Sequence, residues 1–345
     1  MRVVQLGPYP PPHGGVQTNL VAIRDYLRGA AVPCDVVNLT RFRRQDGDGV
    51  HYPVSAAQVV KLLLRLRPAV FHLHIGGNVT LRLLLLGLLA SLVSGGRTVL
   101  TFHSGGYPSS PEGRTARPWT LRGFVFRRFA AIIAVNPEMV AMFARFGVPR
   151  ERIHLIPPYV VPARPPEVSL PTGIERFFAR HDPALVSMGW LEPEYDFPLQ
   201  IRALAELRRR RPRAGLIILG EGRLERELRG QADAAGCADA VLLAGDVPHA
   251  IALAVLARAS VYLRTTWYDG DAISVREALG FGTPVIASDN GMRPTGVKLI
   301  PQRDLPALSE AIEQSIATPC ERKPASATGE ENIQAVWELY RAIGG

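Results

Sequence analysis

The residues best suited to chemistry in this 345-residue chain lie in one run: Tyr268-Asp269-Gly270-Asp271-Ala272-Ile273-Ser274-Val275-Arg276-Glu277-Ala278-Leu279-Gly280-Phe281-Gly282-Thr283-Pro284-Val285-Ile286-Ala287-Ser288. An acidic turn leads into a helix, the helix stops at glycines, and a buried strand follows. Asp271 or Gly270 can cap the helix, which leaves the amides of Ala272, Ile273, Ser274 and Val275 to hold an anion such as a diphosphate. Glu277 falls inside the helix, placed to accept hydrogen bonds from a ribose diol. Asp269, eight residues earlier, lies in the entry loop within reach of sugar hydroxyls. The same pattern has a plainer reading, with Asp269 a turn residue, Asp271 a cap and Glu277 on a solvated face.

Other constellations carry less. Asp269-Gly270-Asp271 is formally a D-x-D metal clamp for a diphosphate, but it sits late in a second α/β half, which argues against that use. His72 and His74 alternate on one strand and so face the same side. With no carboxylate or third ligand nearby, they read as strand-end polar residues rather than metal ligands. No Gly-x-Ser-x-Gly, phosphate-loop or Gly-x-Gly-x-x-Gly pattern occurs, which removes the hydrolase, ATPase and dinucleotide readings. Residues 119–129, Trp-Thr-Leu-Arg-Gly-Phe-Val-Phe-Arg-Arg-Phe, interleave aromatics with arginines. That segment suits either an anionic membrane surface or an ordinary crossover helix with its aromatics in the core.

The elements that position these residues alternate from the start. Strands are predicted at 2–6, 34–38, 69–74, 97–102, 131–134 and 152–156, with helices near 16–29, 55–66, 79–94, 117–129 and 136–146. A proline-rich stretch, Ile156-Pro157-Pro158-Tyr159-Val160-Val161-Pro162, cannot continue a helix or central strand and reads as a linker. Strands then resume near 184–189, 215–219, 240–244, 260–264, 284–287 and 297–300, with helices near 199–210, 223–235, 248–258 and 272–281. Alternation of this kind means parallel sheets covered by helices on both faces, with ligands at the carboxyl ends of the strands. The expected fold class is α/β, two Rossmann-like doubly wound domains spanning 1–160 and 161–328. A terminal helix at 329–343 is expected to return to the first.

Bulk properties agree with a globular chain: 47% hydrophobic and 21% charged residues. Three scattered cysteines support neither a disulfide framework nor a zinc site, and they fit a reducing cytoplasmic setting. Met1-Arg2 runs directly into an apolar strand, so no leader is expected at this end. The greasiest run, residues 83–93, is too short to span a bilayer. The net charge is +9: residues 1–130, with 16 Lys+Arg against 5 Asp+Glu, sum to +11, and the rest of the chain to −2. Such asymmetry points to an anionic partner on the N-terminal half, to which Arg41, Arg43 and Arg44 add. Nucleic acid is a poor candidate, since no stacking platform or recognition motif accompanies the charge.

The D-x7-E spacing followed by Ala-Leu-x-x-Gly-Thr-Pro-Val-Ile-Ala-Ser resembles the E-x7-E signature of retaining glycosyltransferases of the GT-B fold, in the large group 1 (family 4-like) family. The resemblance extends to Gly14-Gly15-Val16-Gln17, to Ala134-Val135-Asn136 with Phe146-Gly147-Val148-Pro149, to Ile217-Ile218-Leu219-Gly220-Glu221-Gly222 and to Ala244-Gly245-Asp246-Val247-Pro248. It implies two facing domains with a deep cleft, a nucleotide-sugar donor, a glycan, lipid-linked or small-molecule acceptor, and metal-independent transfer with retention of configuration. By resemblance, Gly14 and Gly15 let backbone approach the donor phosphates, and His103 stands near the transferred sugar. Glu277 binds ribose, Ile273, Ser274 and Val275 the diphosphate, and Asp269 the sugar. Gly222, Asp246 and Val247 border the base.

The departures are specific. Asp269 replaces the usual glutamate. Trp190 and Tyr195, in Gly189-Trp190-Leu191-Glu192-Pro193-Glu194-Tyr195, stand where the family has an arginine and a lysine that neutralise the diphosphate. Loss of two charge-assisted contacts costs several kcal/mol of donor binding on usual magnitudes, about 1.5–3 each. Arg264, Arg276 and Arg223 are the candidates to replace them, in that order. The alternative to an enzyme is a catalytically weak protein that binds a nucleotide sugar or a partner without turnover.

Overall fold

The computed structural model describes residues 1–42, 44–158, 164–268, 272–317 and 329–345. The chain divides into two compact units, Met1–Val160 with Gly329–Gly345, and Val161–Thr328.

The first unit is built on seven parallel strands: β1 (Val3–Gly7), β2 (Cys34–Asn38), β3 (Val50–His51), β4 (Val70–Ile75), β5 (Thr98–Phe102), β6 (Ala131–Ala134) and β7 (Ile153–Leu155). Their order is β3-β2-β1-β4-β5-β6-β7. Between them run α1 (Gly15–Gly29), α2 (Ala56–Leu66), α3 (Leu81–Val93), α4 (Pro111–Arg114), α5 (Leu121–Phe126) and α6 (Pro137–Arg145). Every residue of β1, β4 and β5 is buried, the signature of a sheet covered on both faces. Strand order reverses between β1 and β4, so the carboxyl ends of these two strands mark the switch point where doubly wound sheets take ligands.

The second unit repeats the plan with six strands: β8 (Ala184–Met188), β9 (Gly215–Leu219), β10 (Val241–Gly245), β11 (Val261–Arg264), β12 (Val285–Ser288) and β13 (Lys298–Ile300). They lie in the order β10-β9-β8-β11-β12-β13, all parallel, with the switch point between β8 and β11. The helices are α7 (Thr172–Arg180), α8 (Phe197–Arg208), α9 (Glu225–Ala234), α10 (His249–Arg258), α11 (Ile273–Gly280) and α12 (Leu305–Ala317). The last helix, α13 (Glu330–Gly344), belongs to the first unit, where Val336 and Tyr340 join Val3, Ile23, Val70 and Val99 in one apolar cluster.

Three features depart from the sequence reading. The helix expected over 117–129 is the short α5, preceded by the separate turn α4. Each carries a glycine where backbone approaches closely: a Cβ at Gly113 would meet Tyr107 O at 2.2 Å and one at Gly123 would meet Arg117 O at 2.6 Å. Helices α7 and α12 and the two-residue strand β3 were not anticipated. The cap of α11 falls on Ala272, which offers no side-chain acceptor, rather than on Gly270 or Asp271. Residues 269–271 lie outside the described residues, and with them the expectations for Asp269 and for the D-x-D clamp. Among the described residues no helix is long and apolar enough to cross a membrane.

Candidate active site

In the second unit the switch point is bounded by Met188, at the end of β8, and Arg264, at the end of β11. Arg264 is 9% exposed. Its Nη1 donates to the Met188 carbonyl at 2.8 Å, and its guanidinium lies 5.0 Å over the ring of Tyr195. Tyr195 in turn lies parallel to Phe197, with centroids 5.8 Å apart and planes 5° apart. A buried cation at a strand's carboxyl end thus rests on Tyr195, the aromatic residue that by resemblance stands where a lysine is usual. A guanidinium over a tyrosine face is held in place while keeping its charge. Trp190 is 39% exposed, an aromatic face beside the same strand end.

Helix α11 follows β11. Glu277 is 3% exposed, and its Oε1 lies 2.6 Å from Nε2 of His249, in the first turn of α10. The solvated-face reading of Glu277 is therefore wrong, because a carboxylate so buried requires a partner. Burial alone would lower the His249 pKa, but the hydrogen bond and charge of Glu277 outweigh it and hold the imidazole above its ordinary value. Ser274 Oγ accepts a 2.6 Å bond from the hydroxyl of the buried Tyr262, which fixes the start of α11 to the sheet. Ile273 and Val275 are buried, whereas Ser274 and Arg276 are half-buried. Asp246 and Val247, both half-buried, fall between the end of β10 and His249.

Two expectations change character here. Gly222, in the loop after β9, is packed against the loop after β8, since a Cβ there would meet Leu191 N and O at 2.7 Å. Its glycine is explained by that contact and by the Leu191–Glu221 backbone bond of 3.0 Å, with no ligand needed. Arg223 pairs with Glu192 at 2.6 Å and its side chain is 70% exposed, a surface ion pair worth little to stability.

At the switch point of the first unit, Gly14 caps α1 in extended backbone without a side-chain bond, so the first-turn amides of Gly15, Val16 and Gln17 head a 15-residue helix. His103 follows β5, tied by its amide to Ile75 O at 2.8 Å. Its Nε2 lies 3.4 Å from Nδ1 of His74, whose Nε2 meets Gln5 Oε1 at 3.0 Å. His72 Nε2 lies 2.7 Å from Thr101 Oγ1, and its Nδ1 contacts the Tyr340 hydroxyl of α13. His72 and His74 are buried members of a hydrogen-bonded row, not polar residues at a strand's exposed end. Burial pushes the pKa values of His72 and His103 down to about 3 and that of His74 well below the usual imidazole value. All three are neutral at pH 7.

The family follows from these halves. Residues 175–329 match the glycosyl transferases group 1 family, and residues 14–164 match Glycosyltransferase Family 4. Both units have the GT-B plan of the structures they resemble, and the chain belongs to the group 1 glycosyltransferases of that fold.

Among solved structures, Anabaena Alr3699/HepE in complex with UDP and glucose is 18% identical, with TM-score 0.65 over 100% of this chain and 97% of that one. The catalytic domain of Starch Synthase IV from Arabidopsis thaliana, bound to ADP and acarbose, is 12% identical, with TM-score 0.71 over 99% of each chain. A GDP-mannose-dependent alpha-(1-6)-phosphatidylinositol monomannoside mannosyltransferase of Mycolicibacterium smegmatis is 28% identical over 69% of this chain and 65% of its own length. The match therefore spans a little under two thirds of that relative.

His249, Gln5 and His74 are the residues that sequence reasoning missed as a working set. His249 carries one local signal, its place two residues after Val247 in the loop that borders the base by resemblance.

Proposed function

We propose that the protein transfers a sugar from a nucleoside-diphosphate sugar to an acceptor, with retention of configuration and without a metal ion. The second unit holds the nucleotide: Glu277 takes the ribose, the first turn of α11 and Arg264 take the diphosphate, and Trp190 with the Asp246–Val247 loop borders the base. The first unit supplies His103 and the amides at Gly14 and Gly15, and it receives a glycan, lipid-linked or small-molecule acceptor. The observation that carries this reading is Glu277, a buried carboxylate held by a single imidazole, in the helix that follows the switch-point strand. Arg264 on the face of Tyr195 answers the missing lysine, because it returns a fixed positive charge to that strand end. Catalysis then rests on positioning and on stabilising charge at the leaving diphosphate.

A thermal-shift screen of UDP-, GDP-, ADP- and dTDP-sugars tests the donor, since a selective ligand raises stability by mass action. Proton NMR of the product, with and without EDTA, tests retention and metal independence. An inverted anomer, or activity lost to EDTA and restored by manganese, overturns those two points. A donor that binds without any turnover would make the chain the weak, binding-only protein.

The exposed residues Trp119, Leu121 and Phe124, with Arg128 stacked 4.8 Å over Phe124, favour placement of the first unit on an anionic membrane surface. Sedimentation with phosphatidylglycerol vesicles, but not phosphatidylcholine vesicles, is the expected result. Equal behaviour with both, or no change in Trp119→Ala, refutes it.

A further inference from the structure

The buried polar row in the first unit determines its own proton positions. Gln5, on β1, is fully buried, and its Nε2 lies 3.0 Å from the carbonyl oxygen of Leu20. A backbone carbonyl only accepts, so the amide side of Gln5 faces Leu20 and its Oε1 faces His74. Oε1 also only accepts, so Nε2 of His74, at 3.0 Å, carries the hydrogen. His74 is 2% exposed and neutral, and its Nδ1 is therefore bare. That bare nitrogen faces Nε2 of His103 at 3.4 Å, with the two ring planes 21° from parallel. The hydrogen of a neutral His103 must then sit on Nε2, which leaves Nδ1 unprotonated. Among the described residues Nδ1 of His103 has no hydrogen-bond partner, and the side chain is only partly covered.

We propose that Gln5 and His74 are positioning residues that lock His103 as its Nε2–H tautomer, so that His103 meets the transferred sugar as an acceptor for a free hydroxyl. The proposal deepens the transferase reading and rests on it for the sugar, but the tautomer belongs to the protein alone. The chemistry excludes the reverse role: a neutral His103 held this way cannot donate to a ring oxygen, an ester carbonyl or a phosphate through Nδ1. It follows that a donor sugar must present an unsubstituted hydroxyl there. A deoxy or O-acylated position loses the contact, because an unpaired polar group is costly.

Long-range 1H–15N correlation spectra of the histidine-labelled 345-residue chain at neutral pH test the lock without any donor, with His103 assigned from its own Gln variant. The expected spectrum has His103 protonated at Nε2 alone. His74→Phe removes the acceptor and should mix or reverse the tautomers, with turnover of the donor sugar falling about tenfold, the value of one hydrogen bond, while UDP or GDP affinity holds. His74→Gln can accept from His103 and donate to Gln5, so it should restore the Nε2–H form and most of the turnover. An Nδ1–H form of His103 in the unmodified protein, or an unchanged tautomer in His74→Phe, overturns the lock. A shifted tautomer with unchanged turnover overturns its role in transfer. Failure of the unmodified protein to bind any nucleotide sugar would instead strike the transferase reading and leave the spectrum to decide the lock.

Discussion

Replacing Glu277 with glutamine separates its two jobs. In the unliganded protein the side chain accepts from His249 at 2.6 Å, and in the donor complex it is proposed to accept from ribose as well. The glutamine keeps the shape and the capacity to accept but gives up the charge. The His249 side chain is 36% exposed, so water can satisfy its nitrogen, and the loss without ligand should be about 1 kcal/mol or less. For a chain of this size that is a fall of about 1–3 °C in Tm. Exchanging a charged acceptor for a neutral one gives up about 1–1.5 kcal/mol, the difference between the two kinds of hydrogen bond, so affinity for the nucleoside diphosphate should drop about 5- to 13-fold. Calorimetric titration with the diphosphate of the preferred base reads the second number, and differential scanning calorimetry reads the first.

The pH dependence adds a check on the same pair. A histidine pKa raised by folding stabilises the fold fully below its unfolded value, near 6.5, and that contribution fades as pH rises through the folded value. The stability gap between Glu277→Gln and the unmodified protein should therefore be widest below pH 6.5 and narrow above it. A large loss of Tm with diphosphate affinity unchanged would show that Glu277 only props His249, and the ribose assignment would be refuted.

The remaining predictions are smaller. The row of neutral imidazoles has the opposite sign: with folded pKa values of about 3, His72 and His103 each stabilise the protein fully above about pH 6.5 and lose that contribution as pH falls. Unfolding free energy from urea titration should drop by about 2 kcal/mol per histidine between pH 7 and pH 5, a fall set by protons bound only in the unfolded chain. A flat profile over that range would mean these groups are solvated. Arg264→Ala should weaken UDP or GDP binding at least about tenfold while leaving the nucleoside alone nearly unchanged, because only the diphosphate meets the guanidinium. Arg223→Ala, freeing Glu192 at the surface, should change neither by more than about twofold. Equal losses for nucleoside and diphosphate in Arg264→Ala would mark that arginine as structural.

Much of the frame was legible because buried parallel strands write themselves as short apolar runs. Residues 34–38, 131–134 and 215–219 match the observed strands end for end, and the other long strands shift by one or two residues. The two-residue β3 is too short to carry a period, and α12, Leu-Pro-Ala-Leu-Ser-Glu-Ala-Ile, has a proline as its second residue, which masks the start of the helix. Glu277 and Arg264 were legible as members of a motif and of a strand end. Their partners were not. His249 lies 28 residues from Glu277, and Gln5 lies 69 residues from His74, so only the sheet order brings them together. Arg264 resting on Tyr195 is likewise invisible to local pattern, because it joins β11 to the loop after β8 across the switch point.

The central claim is that the second unit binds a nucleoside-diphosphate sugar without the family's arginine–lysine pair. Isothermal titration of the 345-residue chain against UDP-, GDP-, ADP- and dTDP-sugars in the presence of EDTA tests it most directly. Saturable one-to-one binding of at least one donor below millimolar concentration is expected, weakened by Glu277→Gln and by Arg264→Ala. Absence of binding for every donor at millimolar concentration, with the protein folded, would contradict it.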